Sequence, residues 1–360
     1  MNNMRYALIG CGRISPNHVA AAQKNKLEMV AFVDLDENKA KGVMAKFGLL
    51  NADIPIYTDY MEMLEKVKPE VVAIATESGK HARIALDCLD YGCHLIIEKP
   101  IALSIADADA VIVKARKRNV VVCVCHQNRF NKSIQKIKSA VEQKLFGKML
   151  YGTAHIRWNR GQEYYAAAGW RGTWEQDGGA LMNQCIHNID LLRWMMGDEI
   201  EMVYGMTDRL AHPYIEAEDF GIAIIKFKNG SYGIVEGTTG IFPENLEETL
   251  YLFGEKGTVK AGGKSVNAIE EWRFMDCRED PENVKGEYSE YPPNIYGYGH
   301  TKLYRNVVSA IHGEEKLLVD GEAGKRALEL VLAIYQSAVT GQSVRFPVMQ
   351  CSTLDFVGRF

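Results

Sequence analysis

Short, unbroken apolar runs separated by helix-length segments recur through the first third of this sequence, and that spacing restricts the folds open to it. Tyr6-Ala7-Leu8-Ile9 is the first run, Met29 to Val33 the second, Val71 to Ala75 the third and His94 to Ile97 the fourth. Val120 to Val124 follows a stretch rich in Ala, Lys and Arg. Strands alternating with helices build βαβ units and a parallel sheet. Runs that are apolar throughout suit strands covered on both faces. The expectation is an α/β chain whose first domain, an open parallel sheet with helices, covers residues 1–122.

The pattern changes after about residue 123. Ser133 to Leu145 reads as an amphipathic helix and residues 150–158 as a strand. Gly178-Gly179 then opens a helix running to about Met196. Longer strands follow at Met202 to Arg209, Phe220 to Phe227, Ser231 to Thr238, Glu248 to Phe253 and Thr258 to Val266, with turns at Lys228-Asn229-Gly230 and Glu255-Lys256-Gly257. Consecutive strands joined by short turns form an antiparallel or mixed sheet. Residues 276–298 are polar, carry three prolines and read as a long loop. Helices at His300 to His312 and Glu322 to Thr340 close the chain. Residues 123–360 therefore form a second, α+β domain, with the C-terminal helix free to pack back on the first. A length of 360 residues suits two domains.

Charge narrows the partners. A net charge of -4 supplies no electrostatic footprint for nucleic acid and no basic stripe for a membrane surface. No apolar stretch reaches the roughly 18 residues of a membrane span. The start runs directly into a strand with no secretory pattern, which points to a cytoplasmic protein. Cys11, Cys88, Cys93, Cys123, Cys125, Cys185, Cys277 and Cys351 form no Cys-x-x-Cys pair. They read as reduced thiols packed as small hydrophobes, and no metal site is expected.

Gly10-Cys11-Gly12 ends the first strand and opens a helix. Gly10 permits a tight turn, and Gly12 lets backbone N–H groups at the helix start approach a pyrophosphate. Ser15 stands where the fingerprint has its third glycine, and Pro16 suits the first helical turn. The second strand ends in Asp34, close to the spacing of a ribose-binding acid. Together these predict a Rossmann domain binding NAD, because Asp34 would repel the 2′-phosphate of NADP.

Two further segments carry chemistry. Glu98-Lys99-Pro100 follows a strand of the first domain, and strand C-termini face the ligand crevice of such sheets. A lysine there can donate to a substrate hydroxyl and stabilise developing charge on oxygen. In the helix after Gly178-Gly179, Asn183 and His187 lie four apart on one face, continued by Asp190 and Trp194. An imidazole so placed can take a proton from an alcohol near neutral pH.

Read together, these segments resemble the glucose-fructose oxidoreductase, inositol dehydrogenase and MocA (Gfo/Idh/MocA) family along essentially the whole chain. The order is the Gly-rich turn, Asp34, Thr76-Glu77-Ser78-Gly79-Lys80-His81, Glu98-Lys99-Pro100, Gln127-Asn128-Arg129-Phe130 and the Gly-Gly helix with His187. The resemblance implies Lys99 and His187 as the catalytic pair and a cis Pro100. It implies a C-terminal domain whose open-faced sheet mediates assembly into a homodimer or homotetramer. Its cofactor residues fall on Gly10, Gly12, Arg13, Ile14, Asp34, Thr76, Ser78, His81, Glu98, Lys99, Pro100 and Gln127. Many members carry aspartate four residues before the histidine; here Asn183 takes that place, which shifts proton relay onto His187.

A narrower resemblance concerns substrate. Arg157-Trp158-Asn159-Arg160, Gln162-Glu163-Tyr164-Tyr165, Trp170-Arg171-Gly172-Thr173 and Leu181-Met182-Asn183-Gln184 are similar to the subgroup that oxidises the 3-hydroxyl of UDP-N-acetylglucosaminuronic acid for surface-polysaccharide sugars. Arg157, Arg160 and Arg171 would clamp a carboxylate or pyrophosphate. Tyr164 and Tyr165 offer flat faces, Asn183 and Gln184 hydrogen bonds, and His300 approaches the same cleft. The bland alternative is that the arginines pair with carboxylates at a subunit interface. Competing functions are a dehydrogenase of a free polyol such as an inositol, and a non-catalytic dinucleotide-binding sensor.

Overall fold

The computed structural model describes residues 3–276, 279–292 and 296–360. In chain order the elements begin β1 (Arg5–Ile9), α1 (Ser15–Lys24), β2 (Glu28–Val33), α2 (Glu37–Lys46), β3 (Ile56–Tyr57), α3 (Tyr60–Val67), β4 (Val71–Ile74), α4 (His81–Asp90), β5 (His94–Ile97), α5 (Ile105–Arg118) and β6 (Val122–Val124). Then come α6 (Lys132–Glu142), β7 (Met149–Arg157), α7 (Gln162–Ala166), α8 (Ile186–Met196), β8 (Ile200–Asp208), β9 (Phe220–Phe227), β10 (Tyr232–Thr238), β11 (Glu247–Gly254), β12 (Gly257–Gly262) and β13 (Ala268–Phe274). The chain closes with α9 (Pro281–Tyr288), α10 (Gly299–Ile311), α11 (Gly321–Thr340) and β14 (Val344–Arg345).

Two compact units result. The first comprises Met1–Ala102, Ala106–Cys125 and His300–Lys325; the second comprises Leu103–Ile105, His126–Gly299 and Arg326–Phe360. In the first, a six-stranded parallel sheet runs in the order β3-β2-β1-β4-β5-β6. Tyr6 to Ile9 and Val71 to Ile74 are buried throughout, as their unbroken apolar character requires. Strand order reverses beside β1, which places ligand-binding loops at the C-terminal ends of β1 and β4. The segment 300–325 belongs to this unit although the sequence pattern groups it with the second domain. Its backbone joins the sheet edge, where the Val124 N–H donates to the Val319 carbonyl at 3.2 Å.

The second unit is built on an eight-stranded sheet of order β13-β12-β11-β7-β10-β9-β8-β14. It is mixed, because β7 and β10 run parallel while their outer neighbours pair antiparallel. Alternation along β7 sends Ala154 and Ile156 inward and Tyr151, His155 and Arg157 outward. Helices α8 and α11 cover the inner face: side chains at Gly152 or Gly205 would collide with Leu192 or Ile334. The other face is open, with Tyr204, Ile224, Tyr232 and Ile234 exposed. Phe227 alternates inward and is buried.

Two readings of the polar C-terminal half change. The 276–298 loop contains α9, started by Asp280 accepting from the Asn283 N–H with Pro281 in the first turn. That start signal is local and strong, but the surrounding prolines mask it. The last strand of the Thr258 to Val266 reading ends at Gly262, and a separate strand, β13, follows. No helix among the described residues is long and apolar enough to cross a membrane.

Candidate functional site

In the first unit the Gly-rich turn has the shape a dinucleotide demands. Gly10 has φ +95°, and a Cβ there would strike the Ala75 carbonyl oxygen. Space above Gly12 is open. Helix α1 starts after Ile14 without a side-chain cap; Pro16 has no N–H, and the Ser15 and Asn17 N–H groups turn back onto the Gly12 and Ile14 carbonyls at 3.2 and 2.9 Å. Arg13 is exposed beside them. Ser15 fits in the third-glycine position by turning its hydroxyl onto the Gly12 carbonyl at 2.6 Å, fully buried. Asp34 is held at the end of β2 by the Cys11 N–H (2.8 Å) and the Asp36 N–H (2.9 Å), one to each carboxylate oxygen. Each oxygen keeps a further lone pair for a ribose hydroxyl. These donors and acceptors fit a bound NAD.

The loops after β4 and β5 are tied together by His81, one of the expected cofactor contacts. It is 1% exposed, and its ring nitrogens lie 2.7 Å from the Pro100 carbonyl and 3.1 Å from the Thr76 carbonyl. His81 is therefore spent on the protein's own backbone. Burial lowers its pKa, so the neutral ring donates to one carbonyl at a time. Ser78 is buried at the start of the same turn. The Lys99–Pro100 bond is cis, as the resemblance implies.

Glu98, next to Lys99, is the hub of a buried network. Burial pushes its carboxyl up, but hydrogen bonds from His18 and His300 outweigh this and hold it well below the usual range. His18 Nε2 lies 3.0 Å and His300 Nε2 3.3 Å from Glu98 Oε1. Burial keeps His18 neutral; it donates to Glu98 and accepts from the Tyr304 hydroxyl (2.6 Å), which in turn meets the Tyr6 hydroxyl (2.9 Å). Cys125 joins the group, its sulfur and the three other donor atoms lying within 4.8 Å of one another. The cysteine spacing gives no hint of this convergence. Hydrogen bonds among these groups explain the cluster without a metal ion. His300, expected at the substrate, belongs to the first unit and meets Glu98 through Nε2.

In the second unit the Gly178-Gly179 entry is conformationally obligatory. Both have positive φ, +85° and +90°, and a Cβ on Gly179 would strike the Glu218 carboxyl group. The next turn, Leu181–Cys185, is a π-helix that runs into α8. Its first N–H groups are capped by Glu218 Oε1 (to Leu181, 2.8 Å) and the Tyr335 hydroxyl (to Met182, 3.2 Å). Burial raises the Glu218 pKa well above the carboxylate range. The wide turn carries Asn183 and Gln184, and His187 follows it in the first turn of α8.

His187 is 9% exposed. Gln127, expected at the cofactor, belongs to this second unit, its Nε2 3.4 Å from His187 Nε2. The His126 ring packs edge-on against His187, with centroids 5.7 Å apart. Behind it Asp190 accepts two hydrogen bonds from Arg129, at 2.7 and 2.6 Å. Burial pushes Asp190 up, and Arg129 and His126 reverse this and hold it low.

Asn183, Gln184 and Tyr164 line one pocket with Asp177 and Glu218. Arg160 Nε donates to Gln184 Oε1 at 3.0 Å and its guanidinium lies 5.3 Å from the Tyr164 ring centroid. Arg171 sits 4.2 Å from the same centroid, with Nε buried and without a hydrogen-bond partner. Tyr165 forms a wall of the pocket, its hydroxyl 3.0 Å from Thr239 Oγ1. Arg157 departs from the expectation. Alternation along β7 puts it on the open face, away from α8, where it pairs with Glu236 and Glu247. Sequence reasoning misses Asp177 and Glu218. Asp177 directly precedes Gly178-Gly179, a signal of a kind; Glu218 comes from the loop before β9 and has none.

Family models match both units. The model for the NAD-binding Rossmann fold of the oxidoreductase family matches residues 4–126, and that for its C-terminal alpha/beta domain matches residues 138–346. The chain belongs to the Gfo/Idh/MocA family. It is an NAD-dependent dehydrogenase acting on a CH–OH group. Among solved Gfo/Idh/MocA structures, the WlbA dehydrogenase from Bordetella pertussis, in complex with NADH and UDP-GlcNAcA, is 36% identical with a TM-score of 0.90, covering 96% of this chain and 99% of that one. WlbA from Chromobacterium violaceum, with the same ligands, is 36% identical with a TM-score of 0.88, covering 97% of each chain. The myo-inositol 2-dehydrogenase of Thermotoga maritima is 24% identical, covering 95% of this chain and 98% of its own.

Proposed function

We propose that this dehydrogenase oxidises the 3-hydroxyl of UDP-N-acetylglucosaminuronic acid, in the cytoplasm, as a step toward surface-polysaccharide sugars. The observation that carries this reading is the pair of guanidiniums, Arg160 and Arg171, on the Tyr164 ring beside Asn183 and Gln184. An acidic sugar needs cationic donors together with a flat surface, and a planar guanidinium meets a carboxylate in two-point fashion. The 36% identity to WlbA chains that bind UDP-GlcNAcA supports the same substrate class.

In this reading Lys99 and His187 handle the hydroxyl proton. His187 takes it as general base, and Lys99 donates to the substrate oxygen as charge develops. Bound NAD would supply the hydride acceptor for the same carbon, so that loss of one proton and one hydride turns the alcohol into a ketone. Gln127 and the His126–Asp190–Arg129 row fix the His187 ring from behind.

The test is to incubate protein and NAD with UDP-N-acetylglucosamine, its uronic acid and myo-inositol, following absorbance of reduced cofactor. An added 2-oxoacid guards against tightly held NADH. Turnover of the uronic acid alone is expected. Turnover of inositol without response to either UDP-sugar would move the substrate to a free polyol. No hydride transfer with any of them would favour a sensor.

A further inference from the structure

Four side chains of the second unit form a polarised row. Arg160 Nε donates to Gln184 Oε1 (3.0 Å), Gln184 Nε2 donates to Asn183 Oδ1 (3.0 Å), and Asn183 Nδ2 donates to Asp177 Oδ1. Asp177 is 3% exposed, and its other oxygen accepts the Gly172 N–H at 2.7 Å. The chemistry at both ends dictates the direction. A guanidinium only donates, so Gln184 must turn its carbonyl oxygen toward Arg160. A carboxylate only accepts, so Asn183 must turn its amino group toward Asp177. The two constraints meet in the middle without conflict: Gln184 offers N–H where Asn183 offers oxygen. A cation and an anion that share no hydrogen bond in this row are thus coupled through two aligned amides, each polarising the next.

We propose that Asp177 is a specificity-determining positioning residue, orienting Asn183 and Gln184 so that Arg160 is held ready for an acidic sugar. This rests on the reading of the substrate given above. Replacing Asp177 by asparagine removes the obligatory acceptor. Asn183 then loses the acceptor that fixes its amino group, and its hold on Gln184, and through Gln184 on Arg160, loosens.

The expected sign separates this role from its rivals. If Asp177 acted only by its charge, Asp177→Asn would tighten an anionic substrate by removing a like charge. Acting through the amides, the same change weakens it. One charge-assisted hydrogen bond lost from the row corresponds to a change on the order of tenfold.

The experiment measures KM for UDP-N-acetylglucosaminuronic acid and the inhibition constant of UDP-N-acetylglucosamine for wild type, Asp177→Asn and Asn183→Ala. In both variants KM for the acid should rise about tenfold with a smaller change in kcat, while the neutral sugar's constant stays nearly fixed. Combining the two substitutions should add little further, since either one breaks the row. Asp177→Glu, which restores an acceptor, should recover part of the loss. Asn183→Ala leaves the Asp177–Gly172 bond untouched, so it decides the matter if Asp177→Asn fails to fold. A KM that falls in Asp177→Asn, or an unchanged ratio of the two constants in Asn183→Ala, overturns the proposal alone. A wild type inert toward the uronic acid overturns the substrate reading and this inference with it.

Discussion

Lys99 and His187 should reveal themselves in turnover and not in cofactor affinity. Removing a general acid or base typically costs about 10²–10⁴ in rate. Single-turnover reduction of bound NAD should therefore slow by that order in Lys99→Ala and in His187→Ala, with NAD binding measured by calorimetry little changed; near-full rates in both would refute the assignment. Asp34 governs the other end. NAD should bind more tightly than NADP, and Asp34→Ser should weaken NAD and narrow the preference in a direct titration. A third residue makes stability depend on pH. Glu248, on the inner face of β11, is pushed up to about 8 by burial. A group whose folded pKa is raised contributes stability that is full below its unfolded pKa, near 4.5, and lost as pH rises through 8. At about 1.4 kcal/mol per unit the span is at most roughly 5 kcal/mol. Glu248→Gln, which cannot titrate, should gain on wild type steadily between about pH 5 and pH 8 in urea unfolding. Arg160 and Arg157 show what sequence spacing conveys and what it omits. Both sit in one basic stretch, yet a period-two alternation sends Arg157 to the open face, and its partners Glu236 and Glu247 come from distant strands.

Among elements, the βαβ series and the long strands are legible because their signal is periodic and local. The 2-residue β3 is too short to carry a period. The π-turn at Leu181–Cys185 is invisible for a different reason. Its N–H groups are satisfied by Glu218 and Tyr335, which only tertiary structure brings there. Gly179 marks the dependence. Gly179→Ala should cost about 1–2 kcal/mol for the left-handed backbone alone, and more because the added carbon meets Glu218. The check is a lower Tm in calorimetry, accompanied by a raised KM as Asn183 and Gln184 shift. An unchanged Tm would show that Glu218 moves aside freely.

At the scale of the molecule, the open sheet face calls for a partner. Tyr204, Ile224, Tyr232 and Ile234 lie exposed on adjacent strands β8, β9 and β10, and contiguous exposed apolar side chains of this kind mark interaction surfaces. Light scattering at micromolar concentration should give a dimer or tetramer, and Ile224→Lys should shift it toward monomer; a wild-type mass near 40.4 kDa would contradict this. The division of the chain has a separate consequence. Six alternating segments compose the two units, so the backbone passes between them five times. A ribosome delivering this chain finishes the parallel sheet at Val124 but supplies Tyr304 and His300, the partners of His18 and Glu98, only some way further on. Until then Glu98 lacks one of the two imidazoles that stabilise its charge, and the nucleotide-binding half remains provisional. The order of synthesis thus completes the network around Glu98 only after most of the second unit already exists.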